Sequence, residues 1–209
     1  MSGIKRRNPG EDRRIQRTQR SLREALVALM IERGYEALTV QDILDRANVG
    51  RSTFYTHFRD KDELLVSGLD QLRAALAEVQ AKARSHGRGL ESALAFTLPL
   101  FEHVHSHRAL HKMIAGRESG AMVHREFHKM FASLARQELT PFAFRSAGGT
   151  VTLDLLIAFL ATSLYGIVAE WLDHHPRLSP LEVHERFQKM AMPGVRAMMS
   201  RSIALQEAK

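Results

Sequence analysis

Cysteine is absent from this 209-residue sequence. Disulfide scaffolds, thiol redox chemistry, cysteine nucleophiles and cysteine-ligated zinc are therefore excluded, and the composition suits a reducing cytoplasm. The beginning of the chain, MSGIKRRNPGEDRR, carries charge but is followed by no apolar signal core. We therefore expect a cytoplasmic protein.

The sequence signatures of common catalytic sites are also missing. The chain has no G-x-S-x-G, no phosphate-cradling glycine loop, no H-E-x-x-H and no spaced carboxylate pair in a recognisable frame. Catalysis would therefore need a site of an unrecognised kind. We expect a protein that is not an enzyme and that carries no cofactor.

Strand patterns are missing as well, since no run alternates cleanly between polar and apolar residues. Almost every long segment instead has the 3.6-residue period of a helix, which predicts an all-α fold. The first helix is predicted to end at Arg33, with Gly34 as its C-terminal cap. The predicted helices are about 13–33, 40–47, 51–58, 61–84, 90–106, 108–116, 120–140, 150–172 and 180–200.

Three of these helices begin with capping patterns, in which a side chain at the start is followed three residues later by an acidic one. In the last of them a proline also occupies the favoured first helical position. The pairs are Thr39 with Asp42, Asp60 with Glu63, and Ser179 with Glu182.

Positive charge is concentrated at the N-terminal end. The net charge is +7 with a pI near 10.1. Residues 1–23 hold eight Lys/Arg and two acidic residues, so 8 − 2 = +6 of that charge lies there. We expect residues 1–12 to be a basic disordered arm that binds nucleic acid, with a solvated tail that has no preferred partner as the alternative.

Residues 48–65, NVGRSTFYTHFRDKDELL, combine a turn, aromatic residues and flanking positive charge. Two short helices joined by Asn48-Val49-Gly50 fit a helix-turn-helix, whose second helix enters the major groove of DNA. Phe54 and Phe58 have the i, i+4 spacing of core anchors. The chemistry of the other residues suits DNA: Arg51 and Ser52 lie at the start of the reading helix, Tyr55, Thr56 and His57 offer polar groups, and Lys61 reaches a phosphate.

The ordered phrases Gly34-Tyr35, Leu38-Thr39-Val40-Gln41-Asp42-Ile43, Ala47-x-Val49 and Thr53-Phe54-Tyr55-x-x-Phe58-x-x-Lys61-x-Glu63-Leu64 follow one another across residues 15–65. This quarter of the chain resembles the DNA-binding domain of the TetR/AcrR family of bacterial transcriptional regulators. The resemblance implies a three-helix DNA-binding domain at residues 13–60 and a larger helical ligand-binding and dimerisation domain at residues 61–209.

The resemblance also implies roles for single residues. Gly50 stands where the family often has a serine that caps the reading helix and contacts phosphate, and Thr56 replaces a frequent aromatic residue or histidine. The phosphate contact at Gly50 and the base preference at Thr56 are therefore not carried over. Arg51, Ser52 and Thr56 are implied to lie nearest the bases, and Thr39, Thr53, Tyr55, His57 and Lys61 mainly to contact phosphates.

Residues 150–172, TVTLDLLIAFLATSLYGIVAEWL, are the most hydrophobic part of the sequence. The length would suffice for a membrane span, but Asp154 and Glu170 lie inside it and no basic flank sets a topology. We expect a helix buried at a dimer interface instead, with helices of about 150–173 and 180–200 pairing with those of a second copy. Charged residues at Leu156 and Leu160 are expected to break that dimer.

A small-molecule effector is implied for the second domain, with a pocket between about 90 and 172. Methionine and aromatic residues at helical spacing are the candidates, although the same pattern is typical of plain core. The candidate lining residues are Phe96, Phe101, Met113, Phe127, Phe131, Phe159 and Tyr165.

Histidines are frequent between residues 103 and 128. His103, His107 and His111 would share a face of one continuous helix, and His124 with His128 has the spacing of a two-ligand metal site. No acidic partner is fixed by a motif nearby, so exposed or structural histidines are the simpler interpretation and no metal is expected.

Taken together, the sequence predicts a cytoplasmic homodimeric transcriptional regulator, a ligand-responsive repressor that binds a palindromic operator in double-stranded DNA. A sequence-nonspecific or architectural DNA-binding protein is the alternative. No membrane partner is expected.

Overall fold

The computed structural model describes residues 9–85, 89–114, 118–143 and 149–200, and these contain helices and short connections but no strand. The all-α prediction is confirmed. The helices are α1 (Pro9–Arg33), α2 (Val40–Ala47), α3 (Arg51–His57), α4 (Lys61–Ser85), a 3₁₀ helix (Gly89–Ser92), α5 (Thr97–Ser106), α6 (Arg108–Ile114), α7 (Glu118–Ala143), α8 (Gly149–His174) and α9 (Pro180–Ser200).

The chain divides into two compact units, residues 1–68 and 69–209. The division falls inside α4, beyond the expected boundary at residue 60. The reason is packing, because Leu64 and Leu65 in the first turns of α4 are buried with the first unit. The Arg23 guanidinium also donates to the Ser67 hydroxyl at 3.4 Å.

The first unit is built from α1, α2, α3 and the start of α4. Its core consists of one apolar face of each helix, with Leu26, Ile43 and Phe54 at 1%, 0% and 0% exposure. Arg46 of α2 and Glu32 of α1 form a two-pronged ion pair with N···O distances of 2.9 and 2.5 Å. This pair links the first two helices at the surface.

Helix α1 begins earlier than the sequence suggested, at Pro9. Residues 9–12 of the expected disordered arm are therefore helical, while residues 1–8 lie outside the described part of the chain. A proline at the first helical position with Glu11 and Asp12 in the first turn favours this start, since proline presets φ and acidic residues suit a helix N-terminus.

The expected helix at 90–106 begins only at Thr97. Leu94 has φ of 67°, a left-handed conformation that interrupts any helix of L-residues. Its carbonyl accepts from the Thr97 hydroxyl at 2.8 Å and from Gln188 Nε2 of α9 at 3.2 Å. These bonds hold the break in place and fasten it to the last helix.

In the second unit α7 packs along α8, and α5 packs against α9. The centre contains Phe101, whose ring lies 5.7 Å from Trp171 and 6.4 Å from Phe187 in edge-on contacts. The three rings join α5, α8 and α9 into one core. Arg108 donates to the carbonyls of Trp171 and Leu172 in the last turn of α8 and to that of Pro176 just after the helix.

Leu153–His174 is long and apolar enough to cross a membrane by length and composition, with a mean hydropathy of 1.8 over its most apolar window. The structure pairs Asp154 with Arg136 of α7 at 2.7 Å, a partner that the sequence did not reveal. Leu156, Leu160 and Leu164 of α8 are buried, as in a core helix.

Candidate nucleic-acid interface

The turn between α2 and α3 is set by Asn48. This residue has φ of 52° and ψ of 49°, and its N–H and that of Val49 donate to carbonyls of the last turn of α2. Asparagine tolerates the left-handed region better than most residues. Gly50 has an ordinary φ of −68°, so Asn48 supplies the positive φ that reverses the chain.

Helix α3 is anchored by the two phenylalanines predicted for that role. Phe54 and Phe58 are 0% and 5% exposed, and their rings lie 5.8 Å apart. Phe54 lies inside this helix of only 7 residues and Phe58 is its C-cap residue, so the side of the helix opposite Phe54 is held towards solvent.

That outward side carries most of the predicted DNA-contacting residues. Tyr55 is 51% exposed and stands edge-on to Phe54, and the Arg51 guanidinium lies 6.0 Å from the Tyr55 ring centre. The Thr56 hydroxyl donates to the Ser52 carbonyl at 2.9 Å. Arg51, Ser52, Thr53, Tyr55 and Thr56 are exposed, and His57 is half-buried.

Thr39 caps α2. Its hydroxyl accepts from the Asp42 N–H at 3.2 Å, and the Asp42 carboxylate accepts from the Thr39 N–H at 2.8 Å. The hydrogen bond that the Thr39 hydroxyl donates to the Asp42 carboxylate, followed by the one from the Thr39 N–H, holds the pKa of Asp42 below its usual value. The predicted capping box is confirmed, and Thr39 stays exposed at the surface.

Lys61 makes contacts that the sequence did not indicate. Its ammonium donates to the carbonyls of Tyr35 at 3.0 Å and Leu38 at 2.8 Å, and lies 4.5 Å from the Tyr35 ring centre. The Tyr35 hydroxyl donates to Asp62, and burial together with this carboxylate raises the pKa of Tyr35. Lys61 thus fixes the connector between α1 and α2, with one of its three N–H donors left for another partner.

The basic residues of α1 divide into two groups. Arg13, Arg14 and Arg17 are exposed, as is Arg20, which pairs with Glu24 at 2.8 Å. Arg23 is half-buried, and burial lowers its pKa. The exposed arginines on the first turns of α1 form a positive surface on the same unit as α3.

The effector-pocket candidates lie in different environments of the second unit. Phe127 and Phe131 are neighbours on α7 with ring centres 5.5 Å apart, and Tyr165 is half-buried with its ring stacked on His124 at 3.9 Å. Phe159 is 56% exposed on α8, and the Met113 side chain lies outside the described part. Phe96, Phe101, Phe127 and Phe131 are all buried.

Histidines gather along α5 and α6. The rings of His103 and His107 stack with centres 4.3 Å apart, and His111 lies 6.1 Å from His103. Burial lowers the pKa of both His103 and His111 to about 4. Within the described ranges no group of three or more His, Asp or Glu residues has a metal-holding arrangement.

Sequence reasoning also missed two buried polar residues of the second unit, Gln80 and Glu138, which are 0% and 4% exposed. Neither belongs to a motif, and both lie on amphipathic helices, where glutamine and glutamate are normally found at the surface.

The sequence of this chain is similar to those of known transcriptional regulators. The family described as "Bacterial regulatory proteins, tetR family" matches residues 22–67, which contain α2, α3 and their anchors. An uncharacterized HTH-type transcriptional regulator of Bacillus subtilis (strain 168), YxbF, is 22% identical over 167 residues, covering 79% of this chain and 42% of the relative. The chain therefore spans less than half of that relative's length.

Solved structures share the fold over nearly the whole chain. A TetR-family regulator from Streptomyces coelicolor A3 superposes with a TM-score of 0.63 at 20% identity, covering 92% of this chain and 99% of the other. The Thermus thermophilus FadR, a TetR-family repressor in complex with lauroyl-CoA, gives 0.60 at 20% identity, covering 84% and 94%. The N-terminal module that contains α2 and α3 thus matches the DNA-binding region of the tetR family of bacterial regulatory proteins, and the chain as a whole shares the helical fold of solved TetR-family regulators.

Proposed function

We propose that this regulator binds a specific palindromic operator as a homodimer, acts as a repressor in the cytoplasm, and releases DNA when a small molecule binds its second unit. The observation that supports it best is α3, whose apolar side is buried at Phe54 and Phe58 while its polar side is exposed. A short helix anchored in this way can enter a major groove without rearrangement.

The residues of the interface take two roles in this proposal. Arg51, Ser52 and Thr56 read base edges from the exposed side of α3, because a guanidinium and hydroxyl groups suit guanine and adenine edges. The other residues bind phosphates and fix the position of the helix on the duplex. This second group is Thr39, Thr53, Tyr55, His57 and Lys61.

A homodimer is supported by apolar residues left at the surface of the last two helices. On α8, Leu155 and Phe159 are 68% and 56% exposed, and on α9 Leu181, Met190 and Met198 are 51%, 62% and 45% exposed. Large exposed apolar residues on adjoining helices are typical of an interface. We propose pairing through α8 and α9, which doubles the DNA contact and requires a palindromic site.

Effector release needs a ligand that binds two conformations with different affinity. The complex of the T. thermophilus repressor with lauroyl-CoA shows that a relative with this fold accepts a small molecule with an apolar part. For a tenfold loss of operator affinity the ligand must favour the released conformation by about 1.4 kcal/mol. We propose a site lined from the aromatic residues of the second unit.

The decisive test is selection of bound duplexes from a random DNA pool at two salt concentrations. A palindromic consensus that survives the higher salt supports a sequence-specific dimer, because nonspecific binding is mostly counterion release and weakens steeply with salt. A pool without enrichment at either salt, together with tight binding to random DNA, would instead favour the architectural alternative.

Replacement of Arg51 by alanine tests base reading directly. We expect Arg51→Ala to weaken binding to the selected operator by about 1–3 kcal/mol, roughly tenfold to more than a hundredfold, and to leave binding to random duplex nearly unchanged. Arg73→Ala, an exposed arginine of α4 that pairs with Asp70, is the matched control. Equal losses on both kinds of DNA would make Arg51 a phosphate contact.

A further inference from the structure

Gln80 of α4 is a completely buried amide with half of its hydrogen-bonding capacity unused. It is 0% exposed, and its Nε2 donates to the Leu134 carbonyl of α7 at 3.1 Å. Its Oε1 has no hydrogen-bond partner among the described residues. The donating bond fixes the amide, so the orphaned oxygen is a true acceptor and not the product of a free rotation.

Glu138 lies one turn beyond Leu134 on the same face of α7 and is 4% exposed. Its Oε1 also has no hydrogen-bond partner among the described residues, and the Arg84 Nε lies 3.8 Å away. Burial raises the pKa of Glu138 although Arg84 opposes the shift. The Arg84 side chain is 45% exposed, so its charge compensates the carboxylate only in part.

Two orphaned oxygen acceptors at one helix contact weaken the fold. A buried acceptor without a donor loses its hydrogen bonds to water without replacement, and an apolar pair of similar size would pack here without that loss. Such groups are expected where a ligand supplies the missing donors. The neighbouring residues on the same face of α7 are apolar, since Phe127, Phe131 and Leu134 are all buried.

We propose that Gln80 and Glu138 are the polar end of the effector site and accept the ammonium group of an amine whose apolar body lies along Phe131 and Phe127. This inference rests on the proposed effector-responsive function and names the chemical class of the effector. An ammonium group has three N–H donors and no acceptor. It therefore suits a site that offers two oxygen acceptors, one of them a carboxylate.

Other head groups match the site less well. A carboxylate would add a second negative charge beside Glu138 and would leave the Gln80 oxygen without a donor. A hydroxyl group has one hydrogen to share between two acceptors and carries no charge to compensate the carboxylate. The order of affinity should therefore be amine, alcohol, carboxylate.

Three probes with the same body test this order on the full chain by titration calorimetry: phenylbutylamine, phenylbutanol and phenylbutyrate. The expected result is an amine affinity at least tenfold higher than that of the alcohol, with the carboxylate weaker still. Equal affinities, a preference for the carboxylate, or no binding of the amine would overturn the assignment.

Variants locate the preference. Glu138→Gln keeps the shape and removes the charge, so we expect it to reduce amine affinity about tenfold while alcohol affinity changes less than threefold. Glu102→Gln, an exposed position on α5, is the matched control and should keep the amine preference. A preference that survives in Glu138→Gln would place the amine elsewhere and overturn the proposal.

The thermal stability of the protein without ligand is a second test of the role assigned to Glu138. Because the folded-state pKa of Glu138 is raised, unfolding releases a proton between its ordinary pKa and the raised value, and the carboxylate costs stability above that window. Glu138→Gln should therefore melt at a higher temperature than wild type at pH 7.5, and the gain should vanish near pH 4. A lower melting temperature at pH 7.5 would show that Glu138 has a satisfied structural role.

Failure of the amine assignment can be distinguished from failure of the proposed DNA-binding function. If DNA selection yields a palindrome but the amine does not bind, only the effector class is wrong. If the amine binds through Glu138 but selection yields no consensus, the site stands and specific DNA binding fails. In the case where both hold, addition of phenylbutylamine should lower operator affinity in wild type and not in Glu138→Gln.

Discussion

Lys61 holds the fold of the first unit and is also a proposed phosphate contact. Two of its N–H donors bind the carbonyls of Tyr35 and Leu38, and its charge lies over the Tyr35 ring. These carbonyls belong to the connector before α2, where no regular helix pairs them. The third donor is left for the phosphate contact that we propose, so the two roles do not compete.

Replacement of Lys61 by alanine should reveal both roles. We expect a loss of about 1–3 kcal/mol in the free energy of unfolding, because two carbonyls lose a charged donor, measured by denaturant titration. We also expect the slope of log affinity against log salt for DNA to fall by about one. An unchanged stability would rule out the carbonyl bonds in solution, and an unchanged slope would remove Lys61 from the phosphate contacts.

His111 should make stability depend on pH. Its Nε2 has no hydrogen-bond partner among the described residues, and its ring is surrounded by His103, His107 and Phe127. Burial lowers its pKa from 6.5 to about 4. The unfolded chain therefore binds a proton that the folded chain does not, and stability is lost as the pH falls from about 6.5 towards 4.

The variant His111→Phe should flatten this dependence. Between pH 6.5 and 4 the free energy of unfolding should fall less steeply with pH in the variant than in wild type. The difference in slope should be up to about 1.4 kcal/mol per pH unit, because one titrating group has been removed. Denaturant unfolding at several pH values measures the slope. A slope equal to that of wild type would mean that His111 titrates alike in the folded and unfolded chain.

At the level of elements, α3 begins without a side-chain cap. Gly50 is its N-cap residue with an extended conformation, and an added Cβ would meet only the Thr53 hydroxyl oxygen, at 4.0 Å. A serine therefore fits here without strain and can accept from an N–H of the first turn.

Gly50→Ser should stabilise the reading helix. We expect a gain of a few tenths of a kcal/mol in the free energy of unfolding, the usual difference between serine and glycine at an N-cap, and an equal or higher affinity for DNA. Gly50→Ala, which fits the same space but has no hydroxyl, is the control. A serine variant no more stable than the alanine variant would show that the cap bond does not form.

The starts of the three helices with capping patterns, α2, α4 and α9, were predictable from the sequence because a cap is a local feature, whereas the starts of α1 and α5 were not. The box of Ser179 and Glu182 is present, with the Ser179 N–H donating to the carboxylate at 2.8 Å. The Asp60 carboxylate caps α4 as predicted, but Glu63 accepts from Arg59 N–H at 2.6 Å, so only half of that box forms.

Contacts between elements were less predictable. Helix α8 is apolar almost all round, so its period does not tell which side faces its own subunit. The sequence selected Leu156 and Leu160 as partner-facing, and this was wrong: they are 7% and 2% exposed, buried within their own unit. The acceptors of Gln80 and Glu138 escaped notice for a similar reason, since their burial comes from packing of α4 on α7.

At the level of the whole molecule, the two units are connected through a single continuous helix, α4, which begins in the first unit and ends in the second. Gln80 of the proposed effector site and Lys61 of the proposed DNA interface therefore lie on the same helix.

The homodimer can be tested with charges on the exposed side of α8. We expect Leu155→Glu combined with Phe159→Glu to give a folded monomer, since these side chains are 68% and 56% exposed in the single chain and a charge there costs little until a partner covers it. Analytical ultracentrifugation measures the mass, and circular dichroism shows whether the helices remain.

Two control variants show whether loss of the dimer comes from the exposed side of α8. Ala81→Glu, on an exposed position of α4, should stay dimeric. Leu156→Glu should unfold the chain, because its side chain is buried in its own unit and an unpaired buried charge costs several kcal/mol.

The monomeric double variant, Leu155→Glu with Phe159→Glu, should bind a single half-site with unchanged base preference. It should lose the high affinity for the palindrome, because two linked reading helices bind far more tightly than one. A double variant that stays dimeric would place the interface away from this side of α8.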